Sequence, residues 1–163
     1  MNYIDQLIQD CHEAKRARPK RTVGIVGIII SGKNRIDEKN LKGLGQIKSC
    51  VYIIEELRGN SEETFQRMEL LKKERKRSVP KLNYPSPILY VGSSTTSITS
   101  RIKQHIGYGH PGTYALNLIH WFEGHYKITV REYELGRSAL QIVEDALSHE
   151  LAPAFGKMGG NSR

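Results

Sequence analysis

The chain is 163 residues long and carries 25 Lys and Arg against 17 Asp and Glu, for a formal charge of +8 and a pI near 9.5. That excess favours polyanionic partners, nucleic acid before an anionic membrane surface, and the length suits one domain that buries its core without covalent staples. Cys11 and Cys50 are far apart and form no CxxC pair, which excludes a disulfide framework and a zinc site; the opening Met-Asn-Tyr-Ile-Asp lacks a basic stretch ahead of an apolar core, so a cytoplasmic chain without signal peptide is expected.

Residues 3–17 place Ile4, Leu7, Ile8, Cys11 and Ala14 on one stripe, the pattern of an amphipathic helix packed on a core. Five basic residues around Pro19 follow as a linker. Next comes TVGIVGIIISGKN, a β-branched run that reads as a strand and is too short for a membrane span of about 20 apolar residues. Gly27 to Lys33 matches the first seven positions of a phosphate-binding P-loop, but Asn34 stands where Ser or Thr belongs and three isoleucines fill the loop, so no nucleotide cofactor is expected. Cys50 to Ile54 predicts a second strand. Asn60-Ser61-Glu62-Glu63 opens a charged helix through about Arg77, whose end carries Lys72, Lys73, Arg75, Lys76 and Arg77 as candidate nucleic-acid contacts. Prolines 80, 85 and 87 then mark an extended connector.

The stretch ILYVGSSTTSITSRIKQHI, residues 88–106, reads as strand, tight turn at Gly92, and a helix with Ile98, Ile102 and Ile106 on its inner stripe. Arg101 and His105, four apart, share one face of that helix, with Tyr90 on the strand feeding it and Lys103 beside them as a further nucleic-acid candidate. Residues 114–121 read as a short buried helix. From His125 the chain alternates Tyr126, Ile128, Val130 and Glu132 against Lys127, Thr129, Arg131 and Tyr133, a further strand. Ser138 is expected to cap a final helix through Leu151, which Pro153 stops. On that helix, at about 100° per residue, Glu144 falls within about 40° of Leu140 and about 20° of Leu151, so its carboxylate points inward. A buried carboxylate needs a partner, and the two readings are a salt bridge to Lys or Arg or a hard-cation ligand.

The ordered set of Tyr52 in Cys50-Val51-Tyr52, Tyr90-Val91-Gly92, Arg101, His105, Glu144 and a closing Ala-Leu-x-x-Glu-Leu-x-Pro-Ala-Phe resembles the GIY-YIG nuclease family over residues 48–158. The resemblance implies an α+β fold with a small three-stranded antiparallel sheet flanked by helices. Residues 1–47 would form an N-terminal helical extension and residues 59–87 a helical insertion between the first two core strands, as in restriction-endonuclease members. It also implies divalent-metal-dependent phosphodiester cleavage. Glu144 would hold Mg²⁺ or Mn²⁺ and Arg101 would neutralise the phosphate. Tyr52 would deprotonate the attacking water, Tyr90 and His105 would hydrogen-bond around the nucleophile, and Gly92 would let the backbone turn below them. The family's Pro-x-x-Asn becomes Pro153-Ala154-Phe155-Gly156, with Asn161 the nearest replacement. DNA is the expected partner, RNA stays open, and a double-strand cut needs either a homodimer or two sequential nicks. Restriction or defence leads repair, recombination and mobile-element roles. The rival from another class is a non-catalytic nucleic-acid-binding module on the same fold.

Overall fold

A computed structural model describes residues 1–157. The elements run α1 (Tyr3–Arg16), β1 (Arg21–Ile30), β2 (Lys33–Ile36), α2 (Glu38–Gly43), β3 (Cys50–Leu57), α3 (Ser61–Glu74), β4 (Ile88–Ser94), α4 (Ile98–Lys103), β5 (Gly124–Glu132) and α5 (Arg137–Leu151). All five strands form one antiparallel sheet in the order β2-β1-β5-β3-β4. The expected three-stranded sheet is therefore too small. β3, β4 and β5 do lie side by side, but β1 takes the outer edge of β5, paired from Arg21↔Glu132 to Ile29↔Gly124, and β2 continues the sheet beyond it. An uncovered β5 would leave a row of backbone donors and acceptors open. The β-branched β1 satisfies them while burying Ile25 and Ile29, so the N-terminal segment contributes sheet as well as helix.

The P-loop match dissolves in the same hairpin. Ser31 and Gly32 both have positive φ, 50° and 75°, the two-residue turn that suits the twist of a β-hairpin. Lys33 pairs with Ile30 in the strand that follows, and no helix N-terminus receives a phosphate there.

Side chains alternate between two faces of the sheet. On one face Ile25, Ile29, Tyr52, Ile54, Tyr126, Ile128 and Val130 pack with Met68 and Leu71 of α3 and with Ile98 and Ile102 of α4. On the other face Val51, Ile53, Val91 and Tyr133 pack under α5 through Leu140, Val143, Leu147 and Leu151. Helix ends follow expectation at the start of α3 and depart from it at α5. Asn60 caps α3 by accepting from the Glu62 and Glu63 N–H groups, and Ser97 caps α4. α5 begins after Gly136 with no side-chain cap, so Ser138 lies inside the first turn. Residues 114–121 form no helix beyond the short turn Leu118–His120, because Asn117 sits in the left-handed region at φ 56° and breaks the run. α1 packs on α5, yet Ile4, Leu7 and Ile8 remain exposed, contrary to a stripe buried along its length. Among the described residues no helix is long and apolar enough to cross a membrane.

Candidate active site

Tyr52 of β3 lies directly opposite Gly92 of β4, and Tyr90 opposite Ile54. The two-residue period sends both tyrosines to the face that carries α4, where their rings stack with centroids 6.1 Å apart and planes 22° from parallel. Gly92 is not a turn. It sits inside β4, and a Cβ there would stand 2.5 Å from Tyr52 Oη and 2.9 Å from the Tyr90 ring. Its missing side chain is what makes room for the phenols.

α4 buries Ile98 and Ile102, and the chain then loosens into a π turn over Gln104–Tyr108 that carries His105 and Ile106 into the core. Such bulges re-aim side chains within a helical run. Arg101 Nε donates to Tyr52 Oη at 3.2 Å, Nη1 to Gln104 Oε1 at 2.9 Å and Nη2 to Tyr90 Oη at 3.4 Å. His105, fully buried, places Nε2 3.0 Å from Tyr52 Oη, while its Nδ1 accepts the Leu116 N–H at 3.1 Å. A backbone N–H can only donate, so Nδ1 is the bare nitrogen and Nε2 carries the proton. His105 therefore donates to Tyr52, which receives two hydrogen bonds from a cation and an imidazole. Burial, with Arg101 beside it, holds the His105 pKa well below the usual imidazole value, keeping the ring neutral. Burial and the neighbouring Tyr90 raise the Tyr52 pKa against the pull of Arg101. Burial alone would weaken the Arg101 cation, but Tyr52 and Tyr90 reverse that and raise its pKa.

Glu144 arrives from α5 on the other side of the sheet and is 8% exposed. Its Oε2 accepts from Ser93 Oγ at 3.1 Å and from Gln141 Nε2. Burial raises its pKa, opposed by Ser93, Lys157 and Gln141, and its negative charge is felt at Tyr52. The ion pairs among the described residues fall on Glu132 and Glu134, so none of them supplies the ordinary salt bridge that would explain Glu144. Beside it opens a cavity of about 320 Å³ lined by Ser93, Ser97, Arg101, Gln104 and Arg137. No group of three His, Cys, Asp or Glu side chains placed for a metal occurs among the described residues. A hard cation held by Glu144 would thus draw its remaining oxygens from water and a bound phosphate, a donor set that suits Mg²⁺.

The other anticipated residues are scattered. Lys72, Lys73, Arg75 and Lys76 are exposed at the end of α3, and Lys103 is exposed on α4. Arg77 is no loose cation for a phosphate: Nε donates to Asn117 Oδ1 at 2.9 Å and Nη2 to the Gly109 carbonyl at 2.8 Å. Asn161 lies outside the described residues. Gly156, the position of the missing Asn, has φ 90°, and a side chain there would meet the Tyr90 ring at 2.8 Å. Asn83 fastens that segment instead, donating to the Pro153 and Gly156 carbonyls. Gln104, Gln141, Asn83 and Arg137 are site residues that the motif does not single out. Gln104 and Gln141 each sit three residues from a partner in the site, a helical spacing that makes them findable; nothing in the sequence points to Arg137 or Asn83.

No family model, curated protein or solved structure matches the chain. The atoms of the site therefore carry the functional reading.

Proposed function

We propose that the protein is a divalent-metal-dependent endonuclease that hydrolyses DNA phosphodiester bonds, in the manner of the GIY-YIG nucleases that its motifs resemble, with restriction or defence as its first role. The observation that carries this reading is the Tyr52 hydroxyl held by Arg101 and His105, with Arg101 lining a cavity that it shares with Ser93, whose hydroxyl donates to Glu144. Glu144 would hold Mg²⁺ or Mn²⁺, which would supply Lewis-acid polarisation of the scissile phosphate and charge stabilisation of the leaving oxygen.

The chain's own groups divide the remaining work. Arg101 lines the cavity while its Nε covers Tyr52 Oη, and Tyr52 is only 1% exposed. A phosphate entering the cavity draws the guanidinium outward, which neutralises charge on the phosphate and uncovers the phenol. Hydrogen bonds from donors favour the phenolate, whereas burial favours the phenol. Tyr52 must release its own proton to solvent before it accepts one from the attacking water, so the rate rises with pH. His105 is not the base: its Nδ1 is committed to Leu116 N–H and its Nε2 already carries a proton. It positions the phenol and stabilises the anion.

Supercoiled plasmid incubated with the protein and Mg²⁺ or Mn²⁺ is expected to relax or linearise, and to stay intact in EDTA. Plasmid left intact under either metal by wild type and Glu144→Ala alike would overturn the reading.

A further inference from the structure

On the face of the sheet that carries α4 and the tyrosines, a second cleft of about 400 Å³ opens between the end of α3 and the turn at 111–114. Lys72, Arg75 and Lys76 form one wall, and Pro111, Gly112 and Tyr114 the other. The three cations are exposed, Tyr114 is 68% exposed, and no acid lines the cleft among the described residues. Lys72 lies in the last turn of α3, Arg75 is its left-handed cap at φ 54°, and Lys76 follows directly. The three like charges line one cleft, and none of them takes part in an ion pair among the described residues.

The walls are bolted together. Arg77 spans from the α3 side to the Asn117 side chain and the Gly109 carbonyl; Ser78 N–H donates to the Pro111 carbonyl at 2.8 Å; and Asn117 Nδ2 returns to the Ser78 carbonyl at 3.2 Å. The cleft is therefore preformed, which spares a ligand the cost of ordering two loops. A relay of contacts joins its wall to Arg101: Arg77 donates to the Gly109 carbonyl, Gly109 lies against Gln104, and Gln104 accepts from Arg101.

We propose that this cleft is a second nucleic-acid contact, gripping the sugar–phosphate backbone of the duplex that flanks the cut, with Lys72, Arg75 and Lys76 on phosphates and the Tyr114 ring against the strand. The proposal rests on the nuclease reading for its choice of DNA. A run of closely spaced cations with an exposed aromatic fits a repeating polyanion better than a single small anion.

The test is equilibrium binding of a fluorescently labelled duplex in EDTA over a range of KCl, comparing wild type, the triple variant K72Q/R75Q/K76Q, and the control K15Q/R16Q/R18Q. The control removes the same charge at the end of α1, on the opposite face of the sheet. The cleft variant is expected to bind more weakly and to lower the slope of log K against log salt by about 2–3, at about 0.9 for each phosphate no longer neutralised, while the control leaves the slope near that of wild type. An unchanged slope in the cleft variant, an equal loss in the control, or no binding by wild type overturns the proposal. Because no metal is present, a protein that binds through the cleft yet never cuts would refute the nuclease reading and leave the cleft standing. Cutting with an unaltered slope would do the reverse.

Discussion

Tyr52 and Tyr126 occupy nearly equivalent places. Both are buried on the same face of the sheet, and each faces a glycine on the neighbouring strand, Gly92 for Tyr52 and Gly27 for Tyr126, whose missing side chain accommodates the ring. Burial raises both phenol pKa values. The difference lies in what meets the oxygen. Tyr126 donates to Asn34 Oδ1 at 2.6 Å and is finished as a packing residue with a satisfied hydroxyl. Tyr52 receives hydrogen bonds from an imidazole and from a guanidinium that itself lines a cavity, within reach of a carboxylate's field. A perturbed pKa and a buried phenol are thus common to both, and only the donors, the cation and the opening set the proposed active site apart from packing.

Substitutions at the two tyrosines separate packing from chemistry, and the largest effect is expected at Tyr52. Tyr52→Phe should slow cleavage by about 10²–10⁴-fold, the worth of a positioned general base, while the protein still folds; Tyr126→Phe should leave the rate unchanged. Single-turnover cleavage of a labelled duplex reads both. The glycines come next. Alanine at Gly92 or Gly27 forces a methyl into a tyrosine ring and should cost about 1–3 kcal/mol in urea melts at either position, but only Gly92→Ala should also lose cleavage. Equal activity in the two alanine variants would show that the Tyr52 hydroxyl need not sit where it does. In the same melts Tyr126→Phe should cost about 1 kcal/mol for its missing hydrogen bond.

The smallest effect on stability concerns Glu144. Burial raises its carboxyl pKa, so the proton is bound more tightly in the folded state; the stability this gives is full at low pH and is lost as pH rises through the folded value. Glu144→Gln should therefore be at least as stable as wild type in thermal melts at alkaline pH, with wild type gaining relative to it as pH falls toward the ordinary carboxyl range, while metal-dependent cleavage disappears. A variant less stable than wild type at alkaline pH would mean that Glu144 serves as a stabilising ion pair.

Much of this arrangement was legible in the residues, and the rest was hidden for identifiable reasons. The alternation of Tyr126, Ile128, Val130 and Glu132 predicted their common burial, and the helical phase of Glu144 against Leu140 and Leu151 predicted its inward aim. Local periodicity reports which side of an element is buried, whereas partner choice between strands is a long-range matter. That is why β1 read as a strand without revealing that it extends the sheet past β5. Gly92 looked like a turn glycine, and Gly27 was read only as part of a strand, because the purpose of each belongs to a side chain on another strand. The run at 114–121 has helical composition, yet Asn117 in the left-handed region ends it and frees Leu116 N–H to fix the His105 tautomer. Arg77 sits in the densest basic run of the sequence and has the look of a phosphate contact; its carbonyl and amide partners come from a segment 30 to 40 residues further along the chain, beyond the reach of any local pattern.

The most direct test of the account is the pH profile of single-turnover DNA cleavage in Mg²⁺ for wild type, Tyr52→Phe and Tyr126→Phe. Wild type and Tyr126→Phe should rise together as pH increases, and Tyr52→Phe should be slow and flat. A Tyr52→Phe variant that cleaves at the wild-type rate with the wild-type profile would contradict the assignment of Tyr52 as the base.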